Sequence, residues 1–335
     1  MTKVEYDLKP YNTFGVRASA DGIEAFQNKS ELTEVFNRLS GQPSFILGGG
    51  SNVLFTNHFN GTILLNRIPG MELISESSND VFLKCGAGEN WHSFVAHCVS
   101  NGFGGIENLS LIPGSVGASP IQNIGAYGVE MKDVFHSLEA FHIDSKEVHT
   151  FSHSDCAFGY RDSVFKGKLK GHYVILNVTF RLSKNPVLNT KYGAIEQELE
   201  KMGVTSPTIK DVSAAVIAIR KSKLPDPAEL GNAGSFFKNP VVNEDIAEEI
   251  LSRYPNAPVY PAGEGYKKLA AGWLIEQSGL KGKRFGECGV HTQQALVLVN
   301  YGNATGKEVL ELSNHVIETV QASFGISLER EVNIV

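Results

Sequence analysis

The chain has 335 residues, a formal net charge of -6 and 42% hydrophobic residues, which is an ordinary composition for a folded protein but too long for one core. No block of Lys or Arg stands out, so a nucleic-acid groove is not expected. No apolar run approaches the ~20 residues of a membrane span, and the start "MTKVEYDLKPYNTFGV" lacks a signal-peptide core. These features lead to the expectation of a cytoplasmic protein with no membrane or nucleic-acid partner and, with no obvious dimer helix, a monomer.

In the first segment, "SELTEVFNRLS" places Leu32, Val35, Phe36 and Leu39 at helical spacing behind Ser30 as N-cap. The apolar strand "SFIL" and the turn "GGGSN" follow. Next, "NWHSFVAHCVSNG" puts Trp91, Phe94, Val95, Cys98 and Val99 on one helical face and stops at Asn101-Gly102. "HYVILNVTFRL" reads as a strand, and "TIKDVSAAVIAIRKSK" as a helix with Ile209, Val212, Val216 and Ile219 in register. The Pro-rich "KLPDPAEL" marks a junction. Beyond it, "NEDIAEEILSRY" and "KKLAAGWLIEQSG" read as helices, "ALVLVN" as a buried strand and "GKEVLELSNHVIETVQASFG" as a long amphipathic helix. The ending "SLEREVNIV" alternates, with Leu328, Arg330, Val332 and Ile334 on one face and Glu329, Glu331 and Asn333 on the other.

Cys85, Cys98, Cys156 and Cys288 show no paired short spacing, so they read as core thiols and not as a zinc or disulfide set. His92, His97, His149 and His153 form no H-E-x-x-H or Cys/His cluster, and no metal is expected. Trp91 and Trp273 lie on apolar helix faces and read as core.

Glycine clusters recur in "LGGGSN", "CGAGEN", "NGFGG", "PGSVGAS" and "NIGAYG", and such stretches let backbone amides approach a ligand. A large phosphate-bearing ligand would explain so many. The Rossmann pattern fails: Gly48 and Gly50 fit G-x-G-x-x-G, but Val53 holds the third position. No P-loop pattern exists either.

The blocks "ILGGGSNVLF", "GFGGIENLSLIPGSVGASPIQNIGAYGVEM", "GYRDSVFK", "GNAGSFFKNP", "KLAAGWLIEQSGLKG" and "GVHTQQALVLVN" occur in this order. Together they resemble the UDP-N-acetylenolpyruvoylglucosamine reductase family, over nearly the whole chain. The resemblance implies an α+β protein. Two subdomains would form an FAD-binding fold of the vanillyl-alcohol-oxidase/PCMH type, at 1–70 (with the terminal strand 326–335) and 71–222. A third α+β domain at 223–325 would bind substrate.

The implied activity is that of a UDP-N-acetylmuramate dehydrogenase, in which NADPH reduces FAD and the enolpyruvyl ether of a UDP-sugar is reduced in turn. FAD would be non-covalent, since no His or Cys matches an attachment position. The family's cofactor positions correspond to Gly48, Gly49, Gly50, Ser51 and Asn52, and to Pro113, Gly114, Ser115, Gly117, Ala118, Gln122, Asn123, Gly125, Ala126 and Tyr127. Arg161 matches the arginine at the substrate carboxylate, Ser235 the proton donor and Glu331 the carboxylate completing the set. Tyr192, in the family type that carries a tyrosine loop, matches the residue closing over the diphosphate. Tyr160, Lys223, Asn239, Tyr260 and Gln294 match other substrate contacts.

Taken singly, Arg161 reads as a surface ion-pair residue, Glu331 as a solvated strand residue and Ser235 as a loop serine. The other functions the sequence allows are an FAD-dependent sugar or hydroxy-acid oxidase on the same fold and a non-catalytic nucleotide-sugar binder.

Overall fold

The computed structural model describes residues 5–335 and divides into two compact units. Residues 1–4, the start of the first expected segment, lie outside the described residues. Among the described residues, 21–49 and 60–222 make up the first unit, and 5–20, 50–59 and 223–335 the second. No described helix is long and apolar enough to cross a membrane.

The first unit carries a mixed sheet of β1 (Ser19–Phe26), β3 (Phe59–Asn66) and β2 (Ser44–Leu47), in that order, with β2 and β3 parallel. Helix α1 (Lys29–Leu39) buries Leu32, Val35 and Leu39 in a cluster with Phe26 and Leu64, as its 3.6-residue spacing requires. Its N-cap is Asn28 and not Ser30: the Asn28 backbone is still extended, and Asn28 Oδ1 accepts the Glu31 N–H at 3.0 Å. Asn and Ser are equally good caps, so sequence alone does not choose between neighbours.

The unit's second sheet is antiparallel, with β4 (Met71–Glu76), β5 (Asp80–Gly86), β6 (Phe135–His142), β7 (Val148–Ser152) and β8 (Tyr173–Ser183) in the order β7-β6-β8-β5-β4. Helix α2 (Trp91–Ser100) packs Trp91 and Phe94 on Phe180, and the Trp91 indole N–H donates to the Leu109 carbonyl at 2.9 Å. Helices α3 (Gly193–Lys201) and α4 (Ile209–Lys223) form a smaller cluster through Ile195, Leu199, Val212 and Val216.

In the second unit, β9 (Gly231–Ser235), β10 (Val241–Asn243), helix α5 (Glu244–Arg253), β11 (Val259–Pro261), β12 (Tyr266–Leu269), helix α6 (Ala271–Gln277), β13 (Cys288–Val290), β14 (Val297–Asn300) and helix α7 (Gly306–Phe324) follow one another. β9, β14 and β13 are neighbours in one sheet, and β10-β12-β11 form a small one. "KKLAAGW" is therefore not one helix. Lys268 pairs with both Val241 and Tyr260, and the helix starts only after Ala270. Strand pairing on both sides overrides the local helical preference of Lys and Ala.

The terminal "SLEREVNIV" buries Leu328 and Val332 but leaves Ile334 exposed. Only Asn333–Ile334 is a regular strand there, parallel to Val53–Leu54. All four cysteines are buried and free.

Across the antiparallel sheet of the first unit, Glu139 accepts from Lys84 Nζ at 2.7 Å and Asn177 Nδ2 at 2.6 Å. The Lys84 bond first, and the Asn177 bond after the opposing cost of burial, hold the Glu139 carboxyl below its ordinary range. A carboxylate whose pKa falls on folding stabilises the fold above its unfolded pKa and loses that contribution as pH falls through the folded value. Both side chains are about one-third exposed, which limits the effect. Glu139→Gln is expected to cost about 1 kcal/mol near neutral pH in denaturant unfolding. The difference should close below about pH 4.

Candidate active site

Two glycine-rich loops meet in the first unit. A Cβ on Gly49 would lie 2.9 Å from the backbone Gly114 Cα, so glycine there lets the loops touch, while one on Gly48 would meet only the rotatable Ser115 side chain. Loop 113–118 is anchored by Trp91 N–H to Gly114 O (3.0 Å), Val116 N–H to Glu89 O (2.9 Å) and Gly117 N–H to Ala87 O (2.9 Å). Among the described residues, the N–H groups of Gly49, Gly114 and Ser115 meet no protein acceptor. Amide donors converging at a loop junction suit a pyrophosphate, so this unit fits a dinucleotide such as FAD. Pro113 and Ala118 are exposed on the same loop, and Gln122 is half-buried.

The Asn123 side chain is 0% exposed and committed to the protein. Its Nδ2 donates to Gly159 O (2.9 Å) and Glu130 Oε2 (3.2 Å), and its Oδ1 accepts the Lys132 N–H (3.0 Å). Its backbone is engaged as well, the N–H donating to Pro120 O and the carbonyl accepting from Arg161, each at 3.5 Å. Gly125–Ala126 pairs with Val129–Glu130 around Tyr127-Gly128, both at positive φ, as a two-residue hairpin turn requires.

Arg161 lies at the tip of a tight turn closed by Gly159 and Asp162, at φ 53°. Its guanidinium donates to Gly125 O at 2.6 Å and Asn123 O at 3.5 Å, and sits 5.5 Å from the centre of the Tyr160 ring. A Cβ on Gly125 would lie 3.0 Å from Arg161 Nη1, so glycine there makes room for the arginine. The Tyr127 ring meets the Tyr192 ring edge-on at 5.6 Å. Behind Tyr127 stands Arg220, which donates from Nε to Leu111 O at 3.1 Å and has no carboxylate partner among the described residues. Burial, and then the neighbouring Arg161 charge, lower the Arg220 pKa, while Tyr127 opposes them. Burial raises the Tyr127 phenol. The sequence reading missed Arg220, although its signal is present: it lies four residues after Val216, a charge on an otherwise apolar helical stripe.

In the second unit, a bulge between Asn232 and Ser235 interrupts the pairing of β9 with β14, and Gly234 takes φ 68°. This turns Ser235 outward while Phe236 and Phe237 stay buried against Phe14 and each other. The Ser235 hydroxyl has no partner among the described residues. Glu331 N–H donates to Phe236 O at 2.9 Å, so the segment carrying Glu331 runs beside the one carrying Ser235. Asn52 donates from Nδ2 to Glu331 O at 3.3 Å, and Asn333 returns bonds to Asn52 O, so the Asn52 amide steadies that segment. Gly50 is packed so closely that a Cβ would lie 2.0 Å from Tyr11 O; Ser51 follows it, half-buried.

Asn239 accepts the Ala271 N–H at the start of α6 through Oδ1 (2.9 Å). Tyr260, 42% exposed, shares a sheet face with Val241 and Lys268. Gln294 is half-buried, with Oε1 3.4 Å from the Leu296 N–H, and Lys223 is exposed at the end of α4. Packing thus brings Ser235 and Glu331 together in the second unit, and Arg161, Tyr160, Tyr127 and Tyr192 together in the first. Outside both groups, His142, Asp144 and His172 place one ligand atom each within 4.8 Å of one another, but His142 Nδ1 already accepts the Ser145 N–H at 3.1 Å.

Residues 226–335 match the profile described as UDP-N-acetylenolpyruvoylglucosamine reductase, C-terminal domain, and residues 21–151 that of an FAD binding domain. Proteins named UDP-N-acetylenolpyruvoylglucosamine reductase are similar over almost the full length. The one from Flavobacterium johnsoniae is 50% identical over 98% of each chain, and that from Chromobacterium violaceum is 50% identical over 98% of this chain and 97% of its own.

Among solved structures, the reductase of the same name from Thermus caldophilus superposes with a TM-score of 0.68 at 25% identity, covering 99% of both chains. p-Cresol methylhydroxylase shares the fold alone, with a TM-score of 0.52 at 11% identity over 97% of this chain and 85% of its own. The FAD-binding α+β fold and near-full-length identities of one half show that the chain belongs to the UDP-N-acetylenolpyruvoylglucosamine reductase family.

Proposed function

We propose that the chain reduces the enolpyruvyl ether of UDP-N-acetylglucosamine enolpyruvate to the lactyl ether of UDP-N-acetylmuramate, with Ser235 as proton donor. The observation that carries this reading is the Ser235 hydroxyl, turned outward by a bulge on a rigid Phe236-Phe237 base and flanked by the Glu331 segment. When bound, non-covalent FAD supplies the hydride, drawn from NADPH and delivered to the methylene carbon. The adjacent carbon then carries an electron pair shared with the carboxylate, and the residues must hold that charge and protonate the carbon.

Arg161 suits the first task. Its guanidinium is oriented by the Gly125 and Asn123 carbonyls, and a planar guanidinium matches a carboxylate-enolate in shape and charge. Ser235 is a weak acid, but an enolate carbon is basic enough to take its proton when the geometry is enforced. Glu331 completes this set. Gly48 to Asn52 and Pro113 to Tyr127 would hold the cofactor, with the Gly49, Gly114 and Ser115 amides on its pyrophosphate. Tyr160, Tyr192, Lys223, Asn239, Tyr260 and Gln294 would hold the nucleotide sugar. In this reading residues 1–70 with 326–335, and 71–222, serve the cofactor and 223–325 the substrate. In the same reading the chain acts as a monomer in the cytoplasm.

Ser235→Ala is expected to leave flavin bleaching by NADPH unchanged while sugar reduction falls by at least about 100-fold, the scale of losing a general acid. Stopped-flow absorbance separates the two half-reactions, and an equal loss in both would refute the role. Arg161→Lys keeps the charge but loses the planar pair of donors. It should lower the sugar half-reaction by about 100-fold, the scale of one oxyanion donor.

A further inference from the structure

We propose that Asn108 is a positioning residue that latches segment 185–192, and Tyr192 with it, to the Tyr127 hairpin. The segment joins β8 to α3 without helix or strand of its own, and Val187 stands 96% exposed within it. Leu188, half-buried against two core clusters, is its apolar anchor, and polar links decide where the stretch beyond it lies.

Asn108 is 1% exposed, in a 3-10 turn whose Glu107 carboxylate accepts the Gly105 and Ile106 N–H groups. Its Nδ2 uses both hydrogens, donating to Tyr127 O at 3.0 Å and to Asn189 O at 2.9 Å. One planar amide therefore joins the hairpin to the middle of the segment. A second link runs from Asn189 Nδ2 to Gly128 O at 3.1 Å, and the edge-on contact of Tyr127 with Tyr192 is a third. Arg220 backs the hairpin through Tyr127. Without the Asn108 amide the segment loses the buried one of its two ties at Asn189 and keeps only the surface bond to Gly128 O.

The inference rests on the reading of Tyr192 as a residue that closes over the nucleotide sugar, and two readouts keep the claims apart. Amide hydrogen exchange of residues 186–192, followed by mass spectrometry on the FAD-loaded full chain, reports the latch whatever the substrate. The KM and kcat for the enolpyruvyl sugar nucleotide report its use. Asn108→Ala should speed exchange in this segment about tenfold, the factor that corresponds to 1.4 kcal/mol. It should raise KM by a similar factor with kcat within about twofold. Asn189→Ala, whose side chain lies at the surface, should show a smaller shift of the same kind and serves if Asn108→Ala does not fold. Unchanged exchange in folded variants would overturn the latch, and faster exchange with unchanged KM would overturn the positioning role. A wild-type chain inactive on the sugar nucleotide would instead count against the proposed function, with the exchange result still deciding the latch.

Discussion

The hydrogen bond of 2.6 Å from the Arg161 guanidinium to the Gly125 carbonyl is the constraint around which the first unit's site is organised. It requires the 159–162 turn to reach the 123–130 hairpin, and Asn123 makes that possible by tying Gly159, Glu130 and the Lys132 N–H to one buried amide. The backbone is strained there: Leu111, Asn123, Tyr127 and Arg161 are all non-glycine residues at positive φ. Each such conformation costs of order 1 kcal/mol or more and persists only where its surroundings over-determine it. Concentrating four around two arginines implies that the fold sacrifices stability to aim cations at one place.

The second unit solves a different problem. The acid role proposed for Ser235 needs a fixed direction; the bulge in β9 turns the serine outward while the Phe14-Phe236-Phe237 packing holds its base. The terminal segment is not the regular strand its alternation suggests. Backbone bonds from Glu331 N–H to Phe236 O and from Lys238 N–H to Glu329 O, with three bonds to Asn52, place Glu331 without an extended ladder.

Much of this was legible in the sequence, for identifiable reasons. Long periodic stretches such as "GKEVLELSNHVIETVQASFG" became helices because their apolar stripe has a core to face. Ordered glycine blocks pointed to close backbone approach, and the Gly49 contact is one. What escaped depends on partners distant in sequence. Lys267 and Lys268 pair with Val242 and Val241, 25 and 27 residues earlier in the chain, a pairing no local pattern announces. Asn28 captured the helix start by backbone geometry. Asn123 read as a ligand contact but has its amide buried in the scaffold, and Asn108 gave no signal because a buried asparagine in a turn looks like any other.

Electron transfer to the sugar nucleotide through bound flavin is the central requirement of the proposed activity. Its most direct test is the visible spectrum of the purified chain under anaerobic conditions. The protein should be yellow, with a flavin band bleached by NADPH and restored by one equivalent of the enolpyruvyl sugar nucleotide. A protein that binds no flavin, or whose reduced flavin is reoxidised by dioxygen but not by the sugar nucleotide, would contradict it.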